Sequence, residues 1–474
     1  MHRNPLFFLA LACMVFLPPL YQLTVPSPQA FTESSDKPLP ATRRFSAVEE
    51  IIRGKCVHCH TRGYALPFYA AIPGIRQIIE SNYYGGLRAM DLNEELGKAR
   101  SEPVGEATLA KMEWVTENGT MPPAVFAAVH MDGRMTREER DSILVWVKNT
   151  RAAYYATATA APERAGEPVQ PLPDTLGADQ AKAALGERLF ADKRLSADDS
   201  IACISCHLPE QGGADGRRLS EGVGKRTGVV NAPGIYNVAF NIRQFWDGRA
   251  ESLRAQVSGP IFNPVEMASK NWDQIIGKLS AERELLEAFL DVYPISWLGD
   301  SGGWTGENIA DALAEYEYTL ITPNSRFDQW LKGDETAISR AEFYGYQRFK
   351  AYRCSSCHVG KSLGGQSFEY MDLKRDYFRD RGGELPSDAG LKAFTGKDED
   401  LHKFKVPNLR NIELTAPYLH DGSVNTLDET VRIMGVYLSG MEIVKDDRDL
   451  IVAFLRSLTG EHRGKKLQGT PVPE

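Results

Sequence analysis

Cysteine is scarce outside one pattern: of seven in 474 residues, six fall into three C-x-x-C pairs, and only Cys13 lies elsewhere, in the N-terminal apolar stretch. Dense Lys/Arg tracts are absent and the net charge is −8, which removes nucleic acid as an expected partner. Strand signals are few, which argues against a sheet-built core. Beyond the N-terminus there is no second membrane segment and no signalling motif, so a sensor or a docking subunit is a weak reading. No domain holds the second C-x-x-C that a four-ligand zinc site needs.

What is present is an ordinary globular composition, 42% hydrophobic and 25% charged, long enough for about three domains. The chain opens with Met1-His2-Arg3-Asn4 and runs apolar from Leu6, with Leu6 to Val25 long enough to span a bilayer. No small-x-small cleavage site is convincing, because Pro28 precedes Ala30. The expectation is therefore an uncleaved anchor over residues 1–25, with a cleaved export signal as the alternative. Cys13 follows a poor lipobox.

Each C-x-x-C pair is followed directly by His, giving Cys56/Cys59/His60, Cys203/Cys206/His207 and Cys354/Cys357/His358. The first cysteines lie 147 and 151 residues apart, which predicts tandem domains. Residues 26–43 read as a linker, 44–155 as a first domain, and the Ala/Pro-rich stretch 156–175 as a connector. Residues 176–330 and 331–465 read as second and third domains, with 466–474 as a tail. Helical stripes recur: Ile143, Leu144 and Val147 after a capping box at Thr136/Glu139; Ile309, Leu313, Tyr316 and Leu320; and Leu450, Ile451, Phe454, Leu455 and Leu458. The predicted fold class is all-α, with three tandem cytochrome c-like domains.

The second and third domains repeat one another. Gly186-x-x-x-Phe190 and Gly345-x-x-x-Phe349 precede their motifs, and Pro233 to Leu253 aligns without gaps to Pro407 to Leu427 at an offset of 174. Asn237/Asn411, Asp247/Asp421 and Gly248/Gly422 coincide in that alignment.

A C-x-x-C-H segment presents two thiols for covalent attachment of haem and an imidazole for its iron. A disulfide would leave each following His without a role. The opposite face of each iron then separates electron transfer from small-molecule activation. Met121, in Gly119-Thr120-Met121-Pro122-Pro123, is the expected second ligand of the first haem, with Met112 and His130 as rivals. Met434 is the expected ligand of the third. Its equivalent in the second domain is Pro260, which cannot bind iron, and Met267, the nearest substitute, reads as packing. The second haem is therefore expected to be open.

Asn231-Ala232-Pro233, Phe245-Trp246-Asp247-Gly248-Arg249, Asn263-Pro264-Val265-Glu266-Met267 and Leu414-Thr415-Ala416-Pro417-Tyr418 are similar to segments of the bacterial di-haem cytochrome c peroxidases. The resemblance covers roughly Leu172 to Thr459. The added first domain and apolar leader resemble the three-haem, membrane-anchored branch that oxidises quinol. The resemblance implies that Trp246 lies between the second and third haems. It also implies that Gln256 orients peroxide, that Glu266 is its acid/base, and that Asn231, Thr415 and Pro417 hold an interdomain calcium ion. One departure is plain: where many members carry a blocking His, this chain reads Ser220-Glu221-Gly222-Val223-Gly224. Reductive release of a His is then not expected. A branch that oxidises protein side chains has Tyr at the place of Met434.

The expected function is reduction of hydrogen peroxide in the periplasm, at the inner membrane, by a protein with three haem c groups and calcium. Electrons would come from quinol or a small c-type cytochrome and pass through the first and third haems to the second. The alternative is a multi-haem electron carrier without peroxidase activity.

Overall fold

The computed structural model describes residues 42–93, 95, 102–130, 132–295 and 303–469. The expected leader and almost all of the 26–43 linker lie outside these residues. Among the described residues no helix is long and apolar enough to cross a membrane. The chain divides into two compact units, residues 1–155 and 156–474.

The first unit contains helices α1 (Thr42–Lys55), α2 (Ile75–Ala89), α3 (Glu106–Glu117) and α4 (Arg137–Tyr154). Val48, Ile52, Leu109, Met112, Ile143 and Val147 form its core. The capping box predicted at the start of α4 is present: Glu139 N donates to Thr136 Oγ1 at 3.1 Å and Thr136 N donates to Glu139 Oε2 at 2.7 Å. Gly86 of α2 lies so close to the first motif that a Cβ would sit 2.4 Å from the Cys59 carbonyl oxygen. Only glycine lets that helix approach.

The principal helices of the second unit are α5 (Gln180–Phe190), α6 (Leu253–Gln256), α7 (Gly306–Thr319), α8 (Arg340–Ala351), α9 (Leu427–Ile433) and α10 (Lys445–Arg456). They surround two hydrophobic cores. One holds Leu185, Leu189, Ile309, Leu313 and Tyr316, and the other Tyr346, Phe349, Ile451, Phe454 and Leu458. The unit is helix-rich but not purely helical. Strands β1 (Phe368–Tyr370) and β2 (Lys403–Lys405) pair antiparallel, as do β3 (Glu461–His462) and β4 (Lys465–Lys466). Strands of two or three residues are too short to leave a readable alternation.

The internal repeat is visible atom by atom. α5 crosses α7 at Gly186, whose Cβ would meet the Ala312 carbonyl oxygen at 1.9 Å. α8 crosses α10 at Gly345, whose Cβ would meet that of Leu450 at 2.0 Å. Isolated bridges pair Gln244 with Ala250 and, 174 residues on, Tyr418 with Val424. Asn237 and Asn411 both adopt left-handed backbone, at φ 65° and 62°. Their side-chain amides both donate to Thr322 Oγ1, at 2.8 and 3.0 Å.

Two stretches read as loose are packed. The 156–175 connector lies along the unit as a strap: Val169 and Leu172 are fully buried, Leu172 N donates to Asp328 Oδ1, and Arg410 donates to the Gln170 carbonyl. Its Ala/Pro composition suggested a tether, but two buried apolar side chains anchor it. In the expected tail, Leu467 joins the core that holds Leu185 and Leu313.

Candidate active site

The three C-x-x-C-H segments close in the same way. Cys59, Cys206 and Cys357 each donate their N–H to the carbonyl of the first cysteine of the pair, at 3.2, 3.2 and 3.3 Å. His60, His207 and His358 donate to those same carbonyls at 3.1, 3.0 and 3.0 Å. Both thiols and the imidazole are thereby gathered at one place. The local backbone differs between copies: Val57–His60 is α-helical, whereas Cys203–Ser205 and Cys354–Ser356 are single 3-10 turns that end just before Cys206 and Cys357.

All six expected attachment cysteines, from Cys56 to Cys357, are half-buried and outside any disulfide. Burial pushes the Cys56, Cys203 and Cys354 thiols up to about 12. Among the described residues no cluster of His, Cys, Asp and Glu could hold a metal ion by itself.

His60 Nδ1 lies 3.0 Å from the Met90 carbonyl, and His358 Nδ1 lies 3.1 Å from the Leu363 carbonyl. A carbonyl only accepts, so Nδ1 carries the proton and Nε2 keeps its lone pair for a metal. The His207 ring is half-buried, and its Nδ1 has no hydrogen-bond partner, with the Gly213 and Pro233 carbonyls nearby. Paired thiols with an imidazole presented in this tautomer fit covalently bound haem.

The candidate second ligands differ in setting. Met121 is half-buried in the turn after α3, while its rival Met112 is buried in the first core. His130 also turns Nδ1 to a carbonyl, that of Phe126 at 2.9 Å, with its ring stacked on Phe126 at 3.8 Å and its Nε2 3.5 Å from the Tyr69 hydroxyl. Met434 opens a π-helical turn, Met434–Ser439, after α9, a distortion frequent at functional sites. In the other copy Pro260 sits in the short helix Ser258–Phe262, and Met267 is buried in a hydrophobic core.

Acidic and amide side chains gather at the second motif. Asn263 Nδ2 donates to Glu266 Oε1 at 2.6 Å. Burial raises the Glu266 carboxyl above its ordinary range, against the opposing pull of Arg249 and Asn263. The loop carrying Val223 lies against this residue, with Val223 N donating to the Glu266 carbonyl at 2.8 Å. Gly222 packs so tightly there that a Cβ would meet the Val265 carbonyl oxygen at 2.2 Å. Glu266 acts electrostatically on Cys206. A cavity of about 380 Å³ adjoins the motif, lined by Ser205, Asp215, Arg217, Glu221 and Lys225 among others.

Gln256, at the end of α6, donates from Nε2 to Glu317 Oε1 at 2.7 Å. Sequence reasoning passed over Glu317, a carboxyl on the otherwise apolar stripe of α7. It is buried, its Oε2 has no hydrogen-bond partner, and burial pushes it up to about 8.

Trp246 and His420 occupy equivalent positions of the repeat. Trp246 Nε1 donates to the Asn231 carbonyl at 2.9 Å, and Asn231 N donates to the His420 carbonyl at 2.8 Å. His420 Nε2 is 2.7 Å from Asp388 Oδ1. The Asn231 amide donates to the Arg217 and Arg218 carbonyls at 2.9 and 3.3 Å, leaving its Oδ1 for another partner. Thr415 approaches Gly234, three residues beyond Asn231, and the Ala416 carbonyl of the Ala416–Pro417 bond faces Gly216. The segments of the implied calcium ligands thus run close together. Lys405 was also missed: its N–H donates to the Trp246 carbonyl at 2.9 Å, and burial pushes its ammonium down to about 8.

Residues 180–336 match the family described as di-haem cytochrome c peroxidase, and residues 16–149 that described as haem-binding domain. Cytochrome c peroxidase Ccp of Escherichia coli is 45% identical over 432 residues, covering 90% of this chain and 91% of that protein. Cytochrome c551 peroxidase of Nitrosomonas europaea is 41% identical, over 66% of this chain and 90% of its own. Among solved structures, a MauG-like protein associated with microbial copper homeostasis superposes with a TM-score of 0.55 at 27% identity, covering 62% of this chain and 94% of its own.

Proposed function

The chain belongs to the di-haem cytochrome c peroxidase family, and from that premise we propose that it carries three haems and reduces hydrogen peroxide with electrons from quinol or a small c-type cytochrome. Its class as a peroxidase-type oxidoreductase rests on relatives of that name at 38–45% identity. The observation that carries the finer reading is the exchange of Met434 for Pro260 at equivalent places, beside a motif that gathers Glu266 and its Asn263 partner.

Haem c bound at each motif supplies an iron for single-electron storage and, at the second, a coordination place for peroxide. Glu266 takes the proton from one peroxide oxygen and returns it to the other as the O–O bond breaks. Gln256 keeps the peroxide oriented. Two electrons and two further protons complete the conversion to two waters. His60/Met121 and His358/Met434 hold electron-transfer haems, and Trp246 stands on the route into the second module. Asn231, Thr415 and Pro417 hold calcium, whose loose oxygen coordination suits an amide and two carbonyls. The apolar leader anchors the protein on the periplasmic side of the inner membrane and supports quinol as donor.

Electron paramagnetic resonance of the resting ferric protein, paired with peroxide turnover on quinol and on a reduced small cytochrome, tests this. One high-spin and two low-spin haems with peroxide turnover are expected. Three low-spin haems and no turnover would reduce the protein to an electron carrier. Turnover with the cytochrome alone would remove quinol.

A further inference from the structure

Glu317 is a buried carboxyl that the mechanism above does not use. The repeat supplies its counterpart. Ala312 beneath Gly186 corresponds to Leu450 beneath Gly345, and a Cβ added at these glycines would also meet the β-carbons of Tyr316 and Phe454, at 2.9 and 2.8 Å. In that register Glu317 corresponds to Leu455, which is also buried. The crossing of the two helices is therefore built equally well with an apolar residue there. By the 174-residue offset, Gln256 corresponds to Thr430. The third module thus has Thr and Leu where the second has a Gln–Glu contact, and it has Met434 where the second has Pro260.

A buried carboxyl is costly to retain where leucine packs, so its presence in one copy points to a task. Glu317 Oε1 accepts from Gln256 Nε2 at 2.7 Å, which turns the NH2 of the amide toward the carboxyl. The NH2 is engaged with Glu317, and the carbonyl oxygen is left as an acceptor for a peroxide O–H.

We propose that Glu317 is a positioning residue for the peroxide reaction, holding the Gln256 amide so that its carbonyl oxygen serves the open haem. This rests on the reading of the second haem as the reactive one. The test is a double-mutant cycle on the haem-loaded protein, read as kcat/KM for peroxide, with haem content and thermal midpoint as controls. Gln256→Ala is expected to lower kcat/KM by about tenfold or more. Glu317→Leu, which installs the residue of the sister copy, should cost about the same, and the double variant no more than either alone. Glu317→Gln keeps a carbonyl acceptor for Gln256 and should recover most of the loss. A Glu317→Leu protein within about twofold of the parent, or a double variant showing the product of the two single losses, would overturn the proposal. If Gln256→Ala leaves kcat/KM unchanged, the placement of Gln256 at the reactive haem fails, and the role given to Glu317 falls with it.

Discussion

Trp246 and His420, 174 residues apart at equivalent places of the repeat, meet edge to face with ring centroids 6.4 Å apart and an interplanar angle of 72°. Each copy contributes one ring to the contact, and the Asn231 peptide bonds to both partners. An aromatic bridge of this kind, on the proposed route between the second and third haems, predicts a kinetic effect without a binding effect. Trp246→Phe should slow peroxide-driven reoxidation of the third haem by about tenfold, equivalent to 1.4 kcal/mol in the barrier. Stopped-flow absorbance of the reduced protein measures it, and haem content should not change.

Glu266 sits at the second motif with its carboxyl raised by burial. As the proton acceptor it acts in its ionised form, which is lost as pH falls through its pKa. Because that pKa is raised, the acid limb of kcat/KM should lie at higher pH than an ordinary glutamate would give. Glu266→Gln should lower kcat/KM by about 10²–10⁴ and abolish the limb. Steady-state peroxide assays across pH decide it; an unchanged limb in the variant would assign the titration to another group.

Much of this arrangement was legible in the sequence because it rests on local spacing. The three motifs, the capping box at Thr136 and the repeated Gly-x-x-x-Phe at Gly186 and Gly345 each need only a few residues at stated intervals, although the helix crossings that those glycines permit do not show in the spacing. Met267 reads as packing and lies buried in a hydrophobic core. What escaped notice depends on tertiary surroundings. Glu317 carries no signal of its own until α7 is packed beside Gln256. The strap 156–175 reads as a tether until Val169 and Leu172 find the core. Lys405 lies in a three-residue strand with no periodic signal.

Val223 stands in the loop where the family resemblance implies a blocking His, and its N–H bonds to the Glu266 carbonyl. The loop is therefore already held against the residue proposed to act on peroxide. Val223→His should place an imidazole within reach of the second iron and convert the resting ferric haem from high to low spin. Electron paramagnetic resonance reads the change. Peroxide turnover of that variant should then require prior reduction, whereas the parent needs none. A spectrum identical to the parent would mean that the loop does not face the iron.

Thr322 is the point at which the two copies share one atom. Its buried hydroxyl oxygen accepts from Asn237 Nδ2 and Asn411 Nδ2, and its own N–H donates to Asn237 Oδ1 at 3.0 Å. Both asparagines are themselves buried, so each NH2 relies on this oxygen as its acceptor, while the amide oxygens are engaged by Thr322 N and Gly460 N. Thr322→Val preserves shape and removes the acceptor. Each stranded donor costs about 1–3 kcal/mol, for a loss of about 2–6 kcal/mol in total. Thr322→Ser keeps the oxygen and should lose only the methyl contact. Chemical denaturation of the haem-loaded proteins separates the two. If Thr322→Val were no less stable than Thr322→Ser, the join between the copies would be carried by apolar packing, and the paired amides would be a by-product of the repeated loop.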